Sequence, residues 1–453
     1  MKSDRRAFLH QSICAAMGAG AMASTVGEFA RVAAAVPPAD DYKALVCLFL
    51  YGGNDSDNCI ITRSNSEYAN YAAQRGPLAV AQNQILPLTP KTSDGRDYGF
   101  NPNWSELQGL FTQGKLAVMS NVGPLVEPTF RTKYINRTAK LPRSLFSHQD
   151  QQVIWSNVRP EDLTTGTGWG GRAADLLNSL HTNAQVSMCM SVSGSNTFQN
   201  ANSVVQYQIS PKEGSIGLNG IDFGASPDPV SKAVREIMEQ EHPGLFETEY
   251  NRVLKRAVNA DQIVKAALAT VTLTTAFPAG RLGAQLKMIA RLIAARNTFG
   301  LKRQIFFCSL GSFDTHGDEV AEHPPLLREV SSALNAFYNA TVELGVSSQV
   351  TTFTASDFGR TFRCNGRGTD HGWGSHHYIL GDAVNGGDLY GSFPNQTING
   401  PDDTELGRWI PTTSTDQYAA KLALWFGVQP GDLATVLPNI GRFTDQNLGF
   451  MKL

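Results

Sequence analysis

Four apolar or β-rich runs constrain the fold more than any other feature of this chain, and they span residues 44–50, 116–120, 303–310 and 350–356. Such runs, without strict polar alternation, are typical of strands that are buried on both faces of a parallel sheet. Segments with apolar residues at three- and four-residue spacing lie between the later runs and indicate helices. We therefore predict an α/β fold with one mainly parallel sheet sandwiched by helices.

Polar loops rich in aspartate and histidine follow three of these runs. The sequence between Val350 and Leu380 is the densest, with three histidines among seven residues in DHGWGSHH. Because the carboxyl ends of parallel strands share one edge, we expect these side chains to converge there. Asp and His are ligands for zinc, manganese or iron, whereas the alternative is a solvated polar loop. The candidate metal ligands are Asp55, Asp314, His316, Asp357, His371, His376 and His377.

Two further pairs of residues are candidates for chemistry and substrate binding. Ser147 has the position of a helix N-cap, with Asp150 three residues later. A helix N-terminus favours anions and activates nucleophiles, so Ser147 and His148 are candidate catalytic residues, although capping alone also explains the serine. Arg360 and Arg363 are candidates for holding an anionic substrate, with surface charge or carboxylate pairing as the alternative.

The first residues have the pattern of an export signal. Arg5 and Arg6 precede Phe8-Leu9, and a weakly apolar run and three alanines at 33–35 follow. This order resembles a twin-arginine signal peptide, so we predict export by the twin-arginine machinery, with residues 1–35 removed. The expected location is the periplasm or the exterior, without a stable membrane span.

Composition limits which classes of protein and of metal site are compatible with this chain. A hydrophobic fraction of 42% can fill a large core, and a net charge of −2 does not suggest a broad basic surface for nucleic acid. Three of the six cysteines lie in apolar runs, where burial explains them without disulfides, and the absence of a CxxC pair disfavours a cysteine zinc site. The segment 193–300, polar and then helical, is predicted to be an insertion or helical cap within a domain spanning 36–453.

The motifs GGND, FDTH, SDFGRT and DHGWGSHH, together with the paired arginine, resemble an exported bacterial family of unknown function assigned to the alkaline phosphatase/sulfatase superfamily. The resemblance extends from about residue 44 to the C-terminus. It implies that Asp55, Asp314, His316, Asp357 and His371 hold metal, with His376 or His377 as competitors for the last position. It also implies a nucleophile at Ser147. Two departures are that Phe358 stands where the superfamily usually has histidine, and that Ser147 lacks the sulfatase motif around it.

The resulting hypothesis is an exported, metal-dependent hydrolase of phosphate or sulfate esters. Its expected cofactor is a divalent metal, with zinc favoured over manganese, calcium or magnesium, and its substrate a small anionic ester or a polysaccharide. The alternative is a non-catalytic envelope protein that uses the same fold and a structural metal for binding or assembly. An accessible nucleophile close to the metal ligands distinguishes the two.

Overall fold

A computed structural model describes residues 42–163, 166–215, 221, 228–240, 244–444 and 448–453. The predicted signal peptide, including Arg5 and Arg6, lies outside these residues. Within them, no helix combines the length and the apolar character needed to cross a bilayer.

The structure has a large sheet and a small one. The strands are β1 (Lys43–Leu50), β2 (Ile60–Thr62), β3 (Leu86–Pro87), β4 (Tyr98–Phe100), β5 (Leu116–Gly123), β6 (Cys189–Ser191), β7 (Tyr207–Ser210), β8 (Gly214–Ser215), β9 (Arg303–Leu310), β10 (Val350–Ser356), β11 (Ser375–Leu380), β12 (Leu389–Tyr390) and β13 (Thr413–Ser414). The small sheet has the antiparallel order β2-β4-β3.

Helices cover the large sheet. The α-helices are α1 (Asn65–Arg75), α2 (Ser105–Thr112), α3 (Arg131–Ile135), α4 (His148–Asn157), α5 (Trp169–Leu177), α6 (Pro229–Glu239), α7 (Leu245–Ala269), α8 (Arg281–Ala294), α9 (Arg296–Phe299), α10 (Glu319–Glu343), α11 (Thr415–Phe426) and α12 (Leu433–Val436). Short 3-10 helices cover Ser56–Asn58, Gly76–Leu78, Gln82–Gln84, Pro102–Trp104, Asn178–Leu180, Pro430–Asp432 and Ile440–Arg442.

The large sheet has the order β12-β5-β11-β10-β1-β9-β6-β7-β8, and β13 also pairs with β5. Strand β1 lies at its centre, parallel to β9 on one side and to β10 on the other. Strand β11 is antiparallel to both β10 and β5, so β5 has the same direction as β10. The prediction that the four apolar runs belong to one mainly parallel sheet is confirmed, and their carboxyl ends share one edge.

Two groups of helices pack around this sheet. One contains α2, α8 and α10, and the other contains α4, α5, α11 and α12. Helix α8 contacts α10 and β9, and nine of its residues are buried, so this end of the predicted 193–300 insertion belongs to the main core. The α/β class with helices on both sides of a mainly parallel sheet is therefore confirmed.

The main difference from the sequence-based expectation is the start of α10. The paired prolines Pro324 and Pro325 predict a helix beginning at Leu326, because proline suits the first helical turn. The helix instead begins at Glu319 and includes both prolines. This earlier start places Glu319 and His323 one turn apart on a buried face, next to the loop that follows β9.

Candidate metal centre at the edge of the sheet

Glycine brings the loops after β1, β9 and β10 into contact. Gly52 has φ +113°, and a Cβ atom there would lie 2.4 Å from the backbone nitrogen of Asp314. Its own N–H donates a 3.2 Å hydrogen bond to Asp357 Oδ2. Only glycine permits this backbone angle and this approach, so the GGND sequence sets the spacing between the site loops.

We call His148, Asp314, His316 and His371 the outer group. One donor atom from each of His148, Asp314 and His371 lies within 4.8 Å of the others. The Oδ1 atom of Asp314 is 3.3 Å from His148 Nε2 and 3.4 Å from His371 Nε2. His316 adds a fourth donor, since its Nε2 is 3.1 Å from Asp314 Oδ1 and 2.9 Å from His371 Nε2.

Each histidine of the outer group has an oxygen acceptor at its other ring nitrogen. His148 Nδ1 lies 2.6 Å from Asp357 Oδ2, His316 Nδ1 lies 3.1 Å from Asp370 Oδ1, and His371 Nδ1 lies 2.7 Å from the Phe146 carbonyl oxygen. A carbonyl oxygen only accepts, so His371 Nδ1 carries the proton, and the carboxylates favour the same tautomer in the other rings. In neutral rings the three Nε2 lone pairs then face Asp314.

This concentration of lone pairs is unfavourable without protons or a cation between them. A histidine whose Nδ1–H is held by a carboxylate or carbonyl, with Nε2 left free, is the usual form of a metal-binding histidine. Two ligands of a tetrahedral zinc ion lie roughly 3.3 Å apart, given zinc–nitrogen distances of about 2.0 Å. The donor separations in the outer group match that value, so its residues fit a divalent cation.

The ionisation of the group agrees with this arrangement. The hydrogen bond to Asp357 raises the pKa of His148. Burial lowers the pKa of His371, with the nearby cations adding to the effect. Burial acts to raise the pKa of Asp314, but Arg360 and the histidines outweigh it and lower that pKa. Asp314 is therefore a carboxylate at neutral pH, and His371 is a neutral imidazole.

The outer group is open to solvent. The side chains of Asp314 and His316 are 46% and 44% exposed, and that of His148 is 30% exposed. A cleft of about 420 Å³ adjoins Asp314, and its walls are formed by Ser312, Asp314, Glu322, Pro325, Leu326 and Glu329. The ring of Phe358 packs against those of His148 and His371, with centroids 4.8 and 4.5 Å away.

A second, buried cluster lies deeper, and we call Asp55, Glu319 and His323 the inner group. Their donor atoms also lie within 4.8 Å of one another, and all three residues are buried. Arg75 makes a direct ion pair with Asp55 and lies 3.4 Å from Glu319 Oε1. The structure thus separates Asp55 from the outer group and gives it an arginine partner.

The ionisation of the inner group follows from Arg75. Burial acts to raise the pKa of Asp55, but contact with Arg75 outweighs it and lowers that pKa. Burial and the charge of Asp55 raise the pKa of Glu319 to about 9, and burial lowers that of His323 to about 4. At neutral pH the cluster therefore consists of one carboxylate, one guanidinium, one protonated Glu319 and one neutral imidazole.

The other predicted site residues have structural partners. His376 and His377 lie in β11, buried, and burial lowers the pKa of each to about 3. The ring of His376 stacks on Phe393 and its Nδ1 accepts from the Asn121 N–H, so neither the ring nor that atom faces the outer group. His377 Nδ1 is 3.3 Å from Thr354 Oγ1, and its ring contacts Trp155.

The candidate arginines and serine also have defined positions. Arg360 is buried, and its Nη1 donates to Asp314 Oδ1 at 3.0 Å, while its Nη2 has no hydrogen-bond partner in the described structure. Arg363 is exposed and donates to Gln74. Ser147 is the N-cap of α4, as predicted, and accepts from the Asp150 N–H at 3.5 Å. Arg360 therefore lies behind Asp314, and Ser147 positions the helix that carries His148.

Several residues of the two groups have only faint sequence signals. Glu319 and His323 have the four-residue spacing of one helix face, but the expected start at Leu326 left them outside the helix. Asp370 directly precedes His371 in the histidine-rich loop, and no sequence pattern indicates its role. Arg75 resembles any solvated arginine at a helix end, and no sequence pattern distinguishes it from one.

Comparisons with known proteins give a family and distant structural likenesses. A family model described as "Protein of unknown function (DUF1501)" matches residues 42–402. No curated protein matches the chain at a significant level. The crystal structure of the PsFucS1 sulfatase from Pseudoalteromonas sp. aligns with 11% identity and a TM-score of 0.36 over 91% of this chain and 71% of that one. That of Ps i-CgsB aligns with 9% identity and a TM-score of 0.32 over 91% and 75%. Likeness at this level says nothing about activity.

Proposed function

Because the chain belongs to the DUF1501 family of proteins of unknown function, its function must be inferred from its own site, and we propose that it is an exported, metal-dependent hydrolase of phosphate or sulfate esters. The observation that carries the proposal is the outer group, in which three histidines with acceptor-bound Nδ1 atoms turn Nε2 toward Asp314. His148, Asp314 and His371 would hold the cation, with His316 as a fourth ligand.

A divalent cation held there would supply the chemistry that the side chains lack, because it would polarise an ester oxygen and lower the pKa of bound water toward neutrality. The chain contributes orientation. Asp357 holds the His148 ring through Nδ1 and is itself fixed by the Gly52 N–H and by Gln152 Nε2 at 3.1 Å. Arg360 neutralises part of the negative charge of Asp314 from behind.

An anionic ester fits the charges around this edge. Helix α4 begins at His148, so its positive end lies at the outer group, where it favours a phosphate or sulfate. The cleft beside Asp314 is lined by Glu322 and Glu329 in addition to Ser312, and Glu329 is bonded to the Leu282 N–H. The alcohol portion of the ester would occupy that cleft, and its acidic walls favour an uncharged, hydroxyl-bearing group over a second anion.

One observation favours the alternative of a non-catalytic envelope protein with a structural metal. Two serines next to predicted ligands or catalytic residues have structural hydrogen bonds. Ser147 caps α4, and Ser56 Oγ accepts from the His376 N–H at 3.0 Å. Both hydroxyl oxygens already accept a structural hydrogen bond, which favours water over these serines as the nucleophile of any hydrolysis. A metal-loaded protein that does not cleave esters would support this alternative.

The test combines metal analysis with a panel of esters on the purified mature protein. We expect at least one tightly bound zinc or other divalent ion, cleavage of aryl phosphate or sulfate esters, and loss of both in Asp314→Asn and His371→Ala. His181→Ala is the matched control, because His181 bonds the Lys302 N–H away from the site. Wild-type protein that binds no divalent metal would refute the proposal, and metal without hydrolysis would leave the alternative.

A further inference from the structure

The inner group has the composition of a metal site although an arginine occupies it. Asp55, Glu319 and His323 bring one donor atom each within 4.8 Å of the others, and none is more than 3% exposed. Two carboxylates and an imidazole form a ligand set of the kind that binds zinc in proteins. By its donors alone, this cluster is as suitable for a divalent cation as the outer group is.

Arg75 supplies the positive charge there. Its Nη2 contacts Asp55 and lies 3.4 Å from Glu319 Oε1, and its Nη1 donates to the carbonyl oxygens of Thr361 and Phe362 at 3.1 and 3.2 Å. The side chain is completely buried. A guanidinium does not lose its proton in a protein and cannot exchange with solvent ions. The charge at the inner group is therefore permanent.

The arginine leaves part of the donor set unused. Among the described residues, no amide, hydroxyl or guanidinium group donates to Asp55 Oδ1, which is fully buried, although Oδ2 of the same carboxylate is paired with Arg75. Asp55 also shares a side-chain hydrogen bond with the protonated Glu319, so a proton, which a metal ion could replace, completes the donor set together with Arg75. His323 likewise bonds through one ring nitrogen to Asn54 Oδ1, at 3.1 Å, and has no contact with the guanidinium among the hydrogen bonds of the described residues. The cluster therefore offers more ligand capacity than Arg75 satisfies.

A hydrogen-bonded chain joins the inner group to the outer one. Thr369 Oγ1 donates to Glu319 Oε2 at 2.7 Å and accepts from Arg360 Nε at 3.2 Å. Arg360 Nη1 then donates to Asp314 Oδ1 at 3.0 Å. Thr369 and Arg360 therefore connect the inner group directly with the metal-ligand candidate Asp314.

We propose that the Arg75 guanidinium takes the place of a second metal ion, closing a metal-competent centre formed by Asp55, Glu319 and His323. The wild-type inner group then binds no divalent cation, and any exchangeable metal belongs to the outer group. Removal of the guanidinium opens the inner group to a metal. This inference concerns a different site from the proposed function and does not require the protein to be a hydrolase.

Metal stoichiometry of the full-length protein and its variants tests the proposal. Each protein is stripped with chelator, given zinc, freed of excess by gel filtration and analysed for bound zinc per chain. We expect Arg75→Met to bind one equivalent more than wild type. The double variant Arg75→Met/His323→Ala should return to the wild-type number, and Arg75→Lys, which retains a cation, should match wild type. Because the prediction is a difference from wild type, it holds whether or not the outer group binds zinc.

Thermal unfolding provides a second readout for a variant that folds poorly. Loss of Arg75 leaves Asp55 buried without its partner, so apo Arg75→Met should melt well below wild type. Zinc should raise its midpoint by more than it raises that of wild type, since a metal that binds only the folded form stabilises it. Three results would overturn the proposal. They are equal zinc-induced shifts of the midpoint in the two proteins, an unchanged zinc stoichiometry in Arg75→Met, and an equivalent of zinc that wild type binds and His323→Ala does not.

Discussion

At the scale of single residues, the outer group depends on the atoms behind its ligands. Asp357 was predicted to bind metal directly, but its Oδ2 accepts from His148 Nδ1, the Gly52 N–H and Gln152 Nε2. A carboxylate in this position orients the ring and increases the basicity of the ligating nitrogen. Its other oxygen, Oδ1, is buried without a hydrogen-bond partner in the described structure. Substitution of Asp357 therefore distinguishes an orienting role from direct ligation.

Asp357→Asn should weaken zinc binding by about 10- to 100-fold without abolishing it, as is typical when the partner of a ligating histidine is changed. It should also lower the pKa of His148 in the metal-free protein, because the hydrogen bond to Asp357 is the main cause of its raised value. Zinc competition with a chromophoric chelator and an NMR titration of the histidines measure the two effects. His376→Ala is the control and should retain wild-type affinity, whereas complete loss of zinc in Asp357→Asn would identify Asp357 as a ligand.

At the scale of secondary structure, the strands were predictable and the second cluster was not. Continuous apolar runs identify β1, β5, β9 and β10, because strands buried on both faces have no polar alternation. Polar residues that directly follow these strands, such as Asp314, could therefore be predicted to lie at the edge of the sheet where the carboxyl ends of the strands meet. The contacts that α1 and the first turns of α10 make in the folded protein depend on tertiary structure and cannot be predicted from a sequence pattern. Arg75 and Glu319 therefore escaped prediction, and His376 and His377 in β11 were taken for loop residues.

Substitutions at the N-cap of helix α4 distinguish a structural role of Ser147 from a catalytic one. The Ser147 side chain caps this helix, so Ser147→Ala should lower the free energy of unfolding by about 0.5–1 kcal/mol, at the low end for a cap because the hydrogen bond is long. Ser147→Asn should recover most of that stability, since asparagine is an equally good N-cap. Chemical denaturation measures both. With water as the nucleophile, Ser147→Asn should also retain ester hydrolysis, whereas a stable but inactive Ser147→Asn protein would restore the serine as the nucleophile.

At the scale of the whole molecule, the sequence predicts export from the cytoplasm, and the segment that carries this prediction lies outside the described residues. The paired arginine precedes Phe8-Leu9 and an alanine- and glycine-rich run. Replacement of Arg5 and Arg6 together by lysine should block export and leave uncleaved precursor inside the cell, because the twin-arginine machinery reads the pair itself rather than its charge. Cell fractionation with immunodetection measures this. Mature protein appearing outside the cytoplasmic membrane in that variant would refute the signal assignment.

The dependence of global stability on pH follows from buried acids outside the site. Asp416 lies in the first turn of α11, fully buried, with no hydrogen-bond partner for either carboxylate oxygen in the described structure. Burial raises its pKa to about 8, against about 3.9 in an unfolded chain. The folded state therefore holds a proton that the unfolded state has lost, and the stability from this difference is complete below about pH 4 and is lost as pH rises through 8. Burial and the charge of Asp55 raise the pKa of Asp57 to about 7, which acts in the same direction.

Asp416→Asn should remove the contribution of this residue, because asparagine is neutral at every pH and has a similar shape. The unfolding midpoint of wild type should fall between about pH 5 and 8, within the two pKa values of Asp416, and that of Asp416→Asn should fall less over the same range. Asp228→Asn is the matched control, since hydrogen bonds to Ser231 lower the pKa of the exposed Asp228 and place its titration below this window. The unfolding midpoint of Asp228→Asn should change with pH as steeply as that of wild type. Equal slopes for wild type and Asp416→Asn would show that Asp416 is ionised in the folded protein, with Arg172 or Arg442 as the cations that stabilise it.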